Sequence, residues 1–349
     1  MQRAFKRAYS SVSFIAPIVA GKMSSQQPRL QTLAQLVPPL SFNMHKGDCG
    51  RIAAIGGCDE YTGAPYFVAS TALRLGADLA YVVCEKDAAA VIKSYSPDII
   101  VNPYLRSTSN KETDGLAAAS PDEKIAPLLD KLHAVSVGSG MGSDLEIRNT
   151  VHMIIKATRE RELPLVLDAD SLAILAVSPE TIHGYRNAVL TPNAPEFSRL
   201  CKALDVDIEN VSSEKAAMLL AERLGGVTVV RKGKVDVITN GDRLFVCEET
   251  GGLRRCGGQG DILSGAIATF LAWGQQYKRG AWKHTGEIKN EDVVMLASYA
   301  ACMITRHASF LAYDDCGRST QSTNVLEQVD MAFDNKFDQI LQAVKPSKQ

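Results

Sequence analysis

The 349-residue sequence predicts an α/β fold wound around a mostly parallel sheet, and three observations carry that expectation. From about residue 45 onward, strand-like and helix-like segments alternate without a repeat or a low-complexity block, the order that winds a chain around a parallel sheet. The strand-like runs are short and apolar throughout, as strands covered on both faces must be. They run into loops rich in Gly, Asp and Pro, and in open α/β sheets ligands bind outside the carboxyl ends of the strands.

The first strand is Arg51–Ile55, running into the turn Gly56-Gly57. A helix from about Ala64 to Leu75 follows, stopped by Gly76. Further strands are expected at Leu79–Cys84, Asp98–Asn102, Ala134–Val137, Leu165–Leu167, Ala188–Leu190 and Val227–Val230, with helix-length stretches between most of them. Val235–Thr239 and Leu244–Glu248 flank Asn240-Gly241-Asp242 and read as a hairpin, a short antiparallel extension. The C-terminal part is helical, most clearly over Glu291–Tyr313.

Composition excludes several classes. A hydrophobic content of 46% supplies a large core, and a formal net charge of −1 gives no global basic field to recruit nucleic acid or an anionic membrane, so neither is expected as a partner. The eight cysteines lack Cys-x-x-Cys spacing and read as reduced core thiols of an intracellular protein. Residues 1–30 differ from the remainder. No acidic residue precedes Asp48, while Arg3, Lys6, Arg7, Lys22 and Arg29 interleave with hydroxyl and apolar residues, the composition of a mitochondrial presequence. Initiation at Met23 would remove most of that segment, so both mitochondrion and cytoplasm are expected locations, with residues 31–345 forming one catalytic domain.

The most informative run is Arg254-Arg255-Cys256-Gly257-Gly258-Gln259-Gly260-Asp261, followed at once by the apolar stretch Ile262–Leu271. Glycines before a helix let backbone N–H groups converge on an anion, and the helix N-terminus adds partial positive charge. Asp261 at the mouth of such a hole can take a proton from a substrate hydroxyl as that hydroxyl attacks phosphorus. Ordinary N-capping of a helix by Asp261 is the competing reading.

Other strand ends carry similar alternatives. Gly138-Ser139-Gly140-Met141-Gly142 could receive a phosphate or be a plain turn, and Asp168 and Asp170 could help hold a hydrated divalent ion or cap a helix. Glu196, in Thr191-Pro192-Asn193-Ala194-Pro195-Glu196, could order magnesium-bound water or balance the dipole of the helix it opens. Lys232, Lys234 and Asp236 form a charged turn that could meet nucleotide phosphates or be solvated. The six histidines form no ligand-spaced cluster.

Together with His45–Arg51, Tyr61–Tyr66, Asp168–Leu172, Leu190–Phe197 and Val230–Gly233, these motifs resemble the eukaryotic ATP-dependent NAD(P)H-hydrate dehydratases of the ribokinase-like superfamily, from about Leu36 to Asp334. The resemblance implies a three-layer α/β/α sandwich and an ATP-dependent dehydration that returns the S form of hydrated NADH or NADPH to the reduced dinucleotide, giving ADP and phosphate. It implies Asp261 as the catalytic base and substrate contacts at Gly140, Asn193, Ala194, Pro195, Glu196, Phe197, Ser198, Arg199 and Asp261. It implies ATP contacts at Lys232, Gly233, Lys234, Val235 and Asp236, and at Gly251, Gly252, Leu253, Arg254, Arg255, Cys256, Gly257, Gly258, Gln259 and Gly260. Mg2+, held through water by Glu196, a homo-oligomeric state and a functional link to an epimerase of the hydrate complete the expectation. Three rivals use overlapping features: a small-alcohol kinase releasing a stable phosphate ester, a non-catalytic nucleotide sensor, and a dinucleotide oxidoreductase. The last is disfavoured because Gly56-Gly57-Cys58-Asp59 lacks Gly-x-Gly-x-x-Gly.

Overall fold

The structure is a computed structural model that describes residues 27–110 and 121–343. The expected targeting segment falls almost wholly on residues 1–26, outside the described residues, as does the end of the expected domain at 344–345. A short helix α1 (Leu30–Ala34) precedes β1 (Arg51–Ile55), α2 (Gly63–Leu75), β2 (Leu79–Glu85), α3 (Ala88–Tyr95) and β3 (Ile99–Leu105). Next come α4 (Pro121–Leu129), β4 (Ala134–Val137), α5 (Leu145–Glu160), β5 (Leu165–Leu167), α6 (Asp170–Val177), β6 (Ala188–Leu190), α7 (Ala194–Ala203) and α8 (Ser213–Arg223). The remainder is β7 (Thr228–Arg231), β8 (Asp236–Thr239), β9 (Leu244–Cys247), α9 (Gln259–Lys278), α10 (Val293–Cys316), α11 (Ser322–Glu327) and α12 (Val329–Ala343).

The strands form one sheet in the order β3-β2-β1-β4-β5-β6-β7-β8-β9. Pairing is parallel from β3 across to β7, and antiparallel for β7 with β8 and β8 with β9. Strand order reverses between β1 and β4, and the crevice outside their carboxyl ends is where such folds take ligands.

Alternation along the strands builds three layers. Ile52, Ala134, Val166, Val189, Val230 and Ile238 pack into a core with α9, α10 and α12, whereas Ala53, Val135, Leu165, Leu190, Val229 and Val237 pack against α5, α7 and α8. Ala54, Val82 and Cys84 face α2 and α3. Val293–Ser319 is long and apolar enough to cross a membrane, with a mean hydropathy of 1.2, but 83% of its most apolar window is buried inside the fold. It is a central helix of the core, and its composition reflects burial on nearly all sides.

Several boundaries differ from the sequence expectation. β3 runs on to Leu105 through Pro103, because β3 is the sheet edge and an edge strand tolerates a missing N–H. α10 continues to Cys316, past the expected Tyr313, since Asp314 and Asp315 stay on the helix where solvent reaches them.

Candidate active site

Helix α9 begins at Gln259, earlier than its apolar run suggests, because Gly258 takes the N-cap in the left-handed region at φ 97°. A Cβ there would lie 2.9 Å from Ser322 Cβ, so the position demands glycine twice over, and Ser322 Oγ also donates to the Gly257 carbonyl. Asp261 is therefore the third helical residue and not the N-cap, which removes the capping reading. Its carboxyl is pushed up to about 7, first by burial and then by the neighbouring Asp168 carboxylate, while the Ser139 hydroxyl and the Lys232 ammonium pull the other way.

Asp168, 2% exposed, does not cap α6 and stands apart from Asp170. It accepts from Lys232 Nζ at 2.8 Å and from Ser264 Oγ, on α9, at 2.7 Å. Burial drives its carboxyl up, but the Lys232 charge together with hydrogen bonds from Lys232, Ser264 and Thr191 holds it below the ordinary range. Burial likewise pushes the Lys232 ammonium down, and Asp168 overrides it, with further support from Glu196 and Asp261. Lys232, half-buried, is thus the partner of a buried carboxylate and not a solvated hairpin charge, joining the end of β7 to that of β5. Asp170, the first residue of α6, accepts from Gly142 N at 2.9 Å and ties down the β4 loop. Neither aspartate is a cap, correcting that expectation.

At the switch point, Gly57 N donates to the Gly140 carbonyl at 3.1 Å and Gly138 N to the Ile55 carbonyl at 2.9 Å, so the β1 and β4 loops lie side by side. No side chain would fit at Gly138, whose α-carbon lies against the Asp168 carbonyl and Ser171. On α7, Asn193 and Glu196 form a reciprocal capping box, with Glu196 N donating to Asn193 Oδ1 at 3.0 Å and Asn193 N to Glu196 Oε2 at 2.8 Å. Ala194, Pro195, Ser198 and Arg199 are exposed beside it. Phe197 is turned into the core at 2% exposure, with the Arg231 guanidinium 5.0 Å from its ring.

A cleft of about 430 Å³ brings the two expected ATP segments together. Lys232, Gly233, Lys234 and Asp236 line one side and Gly251, Arg255, Gln259 and Gly260 another, with Asn193 at its edge. Val235, Gly252, Leu253, Arg254, Cys256, Gly257 and Gly258 are not part of that lining. Leu253 is 79% exposed, Gly252 is packed against Ser309, and Cys256 Sγ accepts from Gln259 Nε2 at 3.1 Å, steadying the loop.

Arg306 on α10 is a site residue that the sequence reading missed. It donates to both Asp236 oxygens (Nε 2.6 Å, Nη2 3.0 Å) and to the carbonyls of Gly233, Lys234 and Glu249. Asp236 is consequently a clamp for the charged turn. No local signal announces this, because the partners are 70 positions apart. Among the described residues no group of three or more His, Cys, Asp or Glu side chains is placed to hold a metal ion.

A family profile described as NAD(P)H-hydrate dehydratase matches residues 52–330. The ATP-dependent (S)-NAD(P)H-hydrate dehydratase of Neurospora crassa is 42% identical, over 89% of this chain and 94% of its own length. Among solved structures, a ribokinase-like superfamily protein from Enterococcus faecalis superposes with a TM-score of 0.65 at 19% identity, covering 88% of this chain and 95% of that one. The ADP/ATP-dependent NAD(P)H-hydrate dehydratase of Bacillus subtilis, co-crystallised with ATP and Mg2+, gives 0.61 at 18% identity, covering 90% and 100%. Both show the fold.

Proposed function

The chain belongs to the NAD(P)H-hydrate dehydratase family, and we propose from its site that it returns the S form of hydrated NADH or NADPH to the reduced dinucleotide at the expense of ATP. The observation that carries this reading is the placement of Asp261, a half-buried carboxyl pushed up to about 7, on the first turn of α9 beside the cleft formed by the charged turn after β7 and the glycine-rich segment before α9.

Asp261, when ionised, takes the proton of the ring hydroxyl, whose oxygen attacks the γ-phosphorus; ADP departs with the bond it held. The amides at the start of α9 and the Lys232 ammonium face the charge that develops on the transferring group. The phosphate ester so formed is a good leaving group. The ring nitrogen lone pair expels it as inorganic phosphate, and loss of a proton from the adjacent ring carbon restores the dihydropyridine. Asp168, itself fixed by the Ser264 hydroxyl, holds Lys232 in place, and burial together with the Asp168 charge keeps the proton affinity of Asp261 high.

The donor set fits a magnesium ion carried on the nucleotide rather than one caged by protein: Glu196, one oxygen committed to Asn193 N–H, would hold it through water. Bound there, Mg2+ would neutralise phosphate charge. The relatives are named for the S form, so a chain with that selectivity requires an epimerase to use the R form. The basic, acid-free leader and Met23 support dual mitochondrial and cytoplasmic locations, and a homo-oligomer is part of the same reading. Diffuse fluorescence from a fusion of residues 1–30 to a fluorescent protein would remove the mitochondrial location, and a monomer on a sizing column would remove the oligomer.

The activity is tested with hydrated NADH, ATP and magnesium, following the return of reduced-nicotinamide absorbance together with phosphate release. One phosphate per dinucleotide recovered is the expected result. Stable phosphorylation of another alcohol, with no recovery, would make the chain a kinase.

A further inference from the structure

One hydroxyl at the switch point has nothing to hold. Ser139, 2% exposed, lies in the β4 loop, and its Oγ is buried without a hydrogen-bond partner. Two hydroxyls close by are satisfied: Ser171 Oγ lies 2.9 and 2.8 Å from the Val137 and Asp168 carbonyls, and Ser264 Oγ donates to Asp168 Oδ2 at 2.7 Å. A buried hydroxyl without a partner is rare in a folded chain and calls for a reason. No ligand supplies it, because the oxygen presents no surface to one.

The backbone fixes where that hydroxyl points. The α-carbon of Gly56 lies against the Ser139 carbonyl, that of Gly138 against the Asp168 carbonyl and that of Gly140 against Tyr61, so the loop cannot turn to offer Ser139 another partner. What Ser139 faces is the Asp261 carboxyl, across the gap between the β4 loop and the first turn of α9. The charged groups acting on Asp261 are Asp168 from the end of β5 and Lys232 from the end of β7, and Lys232 Nζ is already engaged with Asp168 Oδ1. α2 and α11 bring Phe67, Val68 and Ser322 against the first two turns of α9, while Arg306 of α10 is committed to Asp236 and backbone carbonyls. Ser139 is the neutral donor left for Asp261.

Resting on the assignment of Asp261 as the base, we propose that Ser139 is a positioning residue for the reaction: its hydroxyl rotates to donate to one oxygen of the ionised Asp261, leaving the other for the substrate proton. Ser139 keeps its own proton throughout, and the proton of the substrate hydroxyl goes to Asp261. The test is Ser139→Ala, which deletes only an oxygen that no other group of the chain holds and so leaves the fold intact. The Asp261 carboxyl carbon is titrated by ¹³C NMR in the full chain without substrate, assigned by its absence from Asp261→Asn, and kcat/KM for hydrated NADH is followed against pH. Loss of the donor should raise the carboxyl's titration midpoint by about one pH unit, because a hydrogen bond to the charged form favours that form. The acid limb of kcat/KM should move up equally, a loss of about tenfold below both midpoints that closes to within about threefold above them. A midpoint unchanged or lowered in Ser139→Ala would overturn the proposal, as would a uniform loss of kcat/KM at every pH. A midpoint that rises while the acid limb stays in place would instead overturn the assignment of Asp261 as the base, on which the proposal rests.

Discussion

Asp261 has to be ionised to take a proton, yet its surroundings favour the protonated form. Because the carboxyl is held up at about 7 in the ligand-free chain, kcat/KM should rise with pH through that value as the base form fills, and a pH profile of kcat/KM checks it. The same shift has a stability consequence of definite sign. Between the ordinary carboxyl range and about 7 the folded chain binds the Asp261 proton more tightly than the unfolded chain does, so this residue's contribution to stability falls as pH rises across that window. Asp261→Asn should cut turnover by about 10²- to 10⁴-fold while retaining ATP binding. It should also be more stable than wild type at pH 8 by roughly 2–4 kcal/mol, read from urea unfolding, with the difference vanishing near pH 4. Comparable turnover in the variant would remove Asp261 as the base. The importance of Asp261 is visible in sequence because glycine spacing and an acidic residue share one short run. The roles of Asp168 and Lys232 are not, because a partner 64 positions away leaves no local pattern. Removing one member of that buried pair, as in Asp168→Asn, should cost about 3–5 kcal/mol, and replacing both with apolar residues should cost less.

At the level of elements, the start of α9 and the start of α7 do different work. Gly258 places the first amides of α9 only because it occupies the left-handed region against Ser322. Gly258→Ala should cost about 1–2 kcal/mol in denaturant unfolding and lower kcat by more than that loss of stability explains. On α7, Glu196 both closes the capping box and points its charge toward Lys232. Gln at that position keeps an acceptor for Asn193 N–H, so Glu196→Gln should leave stability within about 0.5 kcal/mol while raising the magnesium concentration needed for half-maximal activity. An unchanged magnesium dependence would leave Glu196 with capping alone. Four strands, β1, β4, β5 and β6, have the bounds their sequence suggests, since a short apolar run between turn residues can hardly be anything else in a two-sided sheet. The start of α9 is not legible in the sequence because its first turn, Gln259-Gly260-Asp261, is polar and glycine-containing, so apolar periodicity begins only at Ile262.

Across the whole molecule, one nine-stranded sheet carries both halves of the site: the β1 and β4 loops at the switch point, and the β7 turn with the segment after β9 around the cleft. Ligand binding should therefore stabilise the fold as a unit: ATP at 100 times its Kd should add about 2.7 kcal/mol of stability and raise the thermal midpoint in a single transition. The layering was legible because alternation of strand and helix is a property of the chain itself. The strand order and the clamp of α10 on the β7–β8 turn through Arg306 were not, because they depend on which distant faces meet. The most direct test of phosphorylation before elimination is an isotope measurement, in which the substrate hydrate carries ¹⁸O at its ring hydroxyl and the products of one turnover with ATP are analysed by mass spectrometry. The label is predicted in inorganic phosphate, one atom per molecule. Label found in water, with unlabelled phosphate, would show that ATP is cleaved without accepting the substrate's oxygen and would contradict the mechanism.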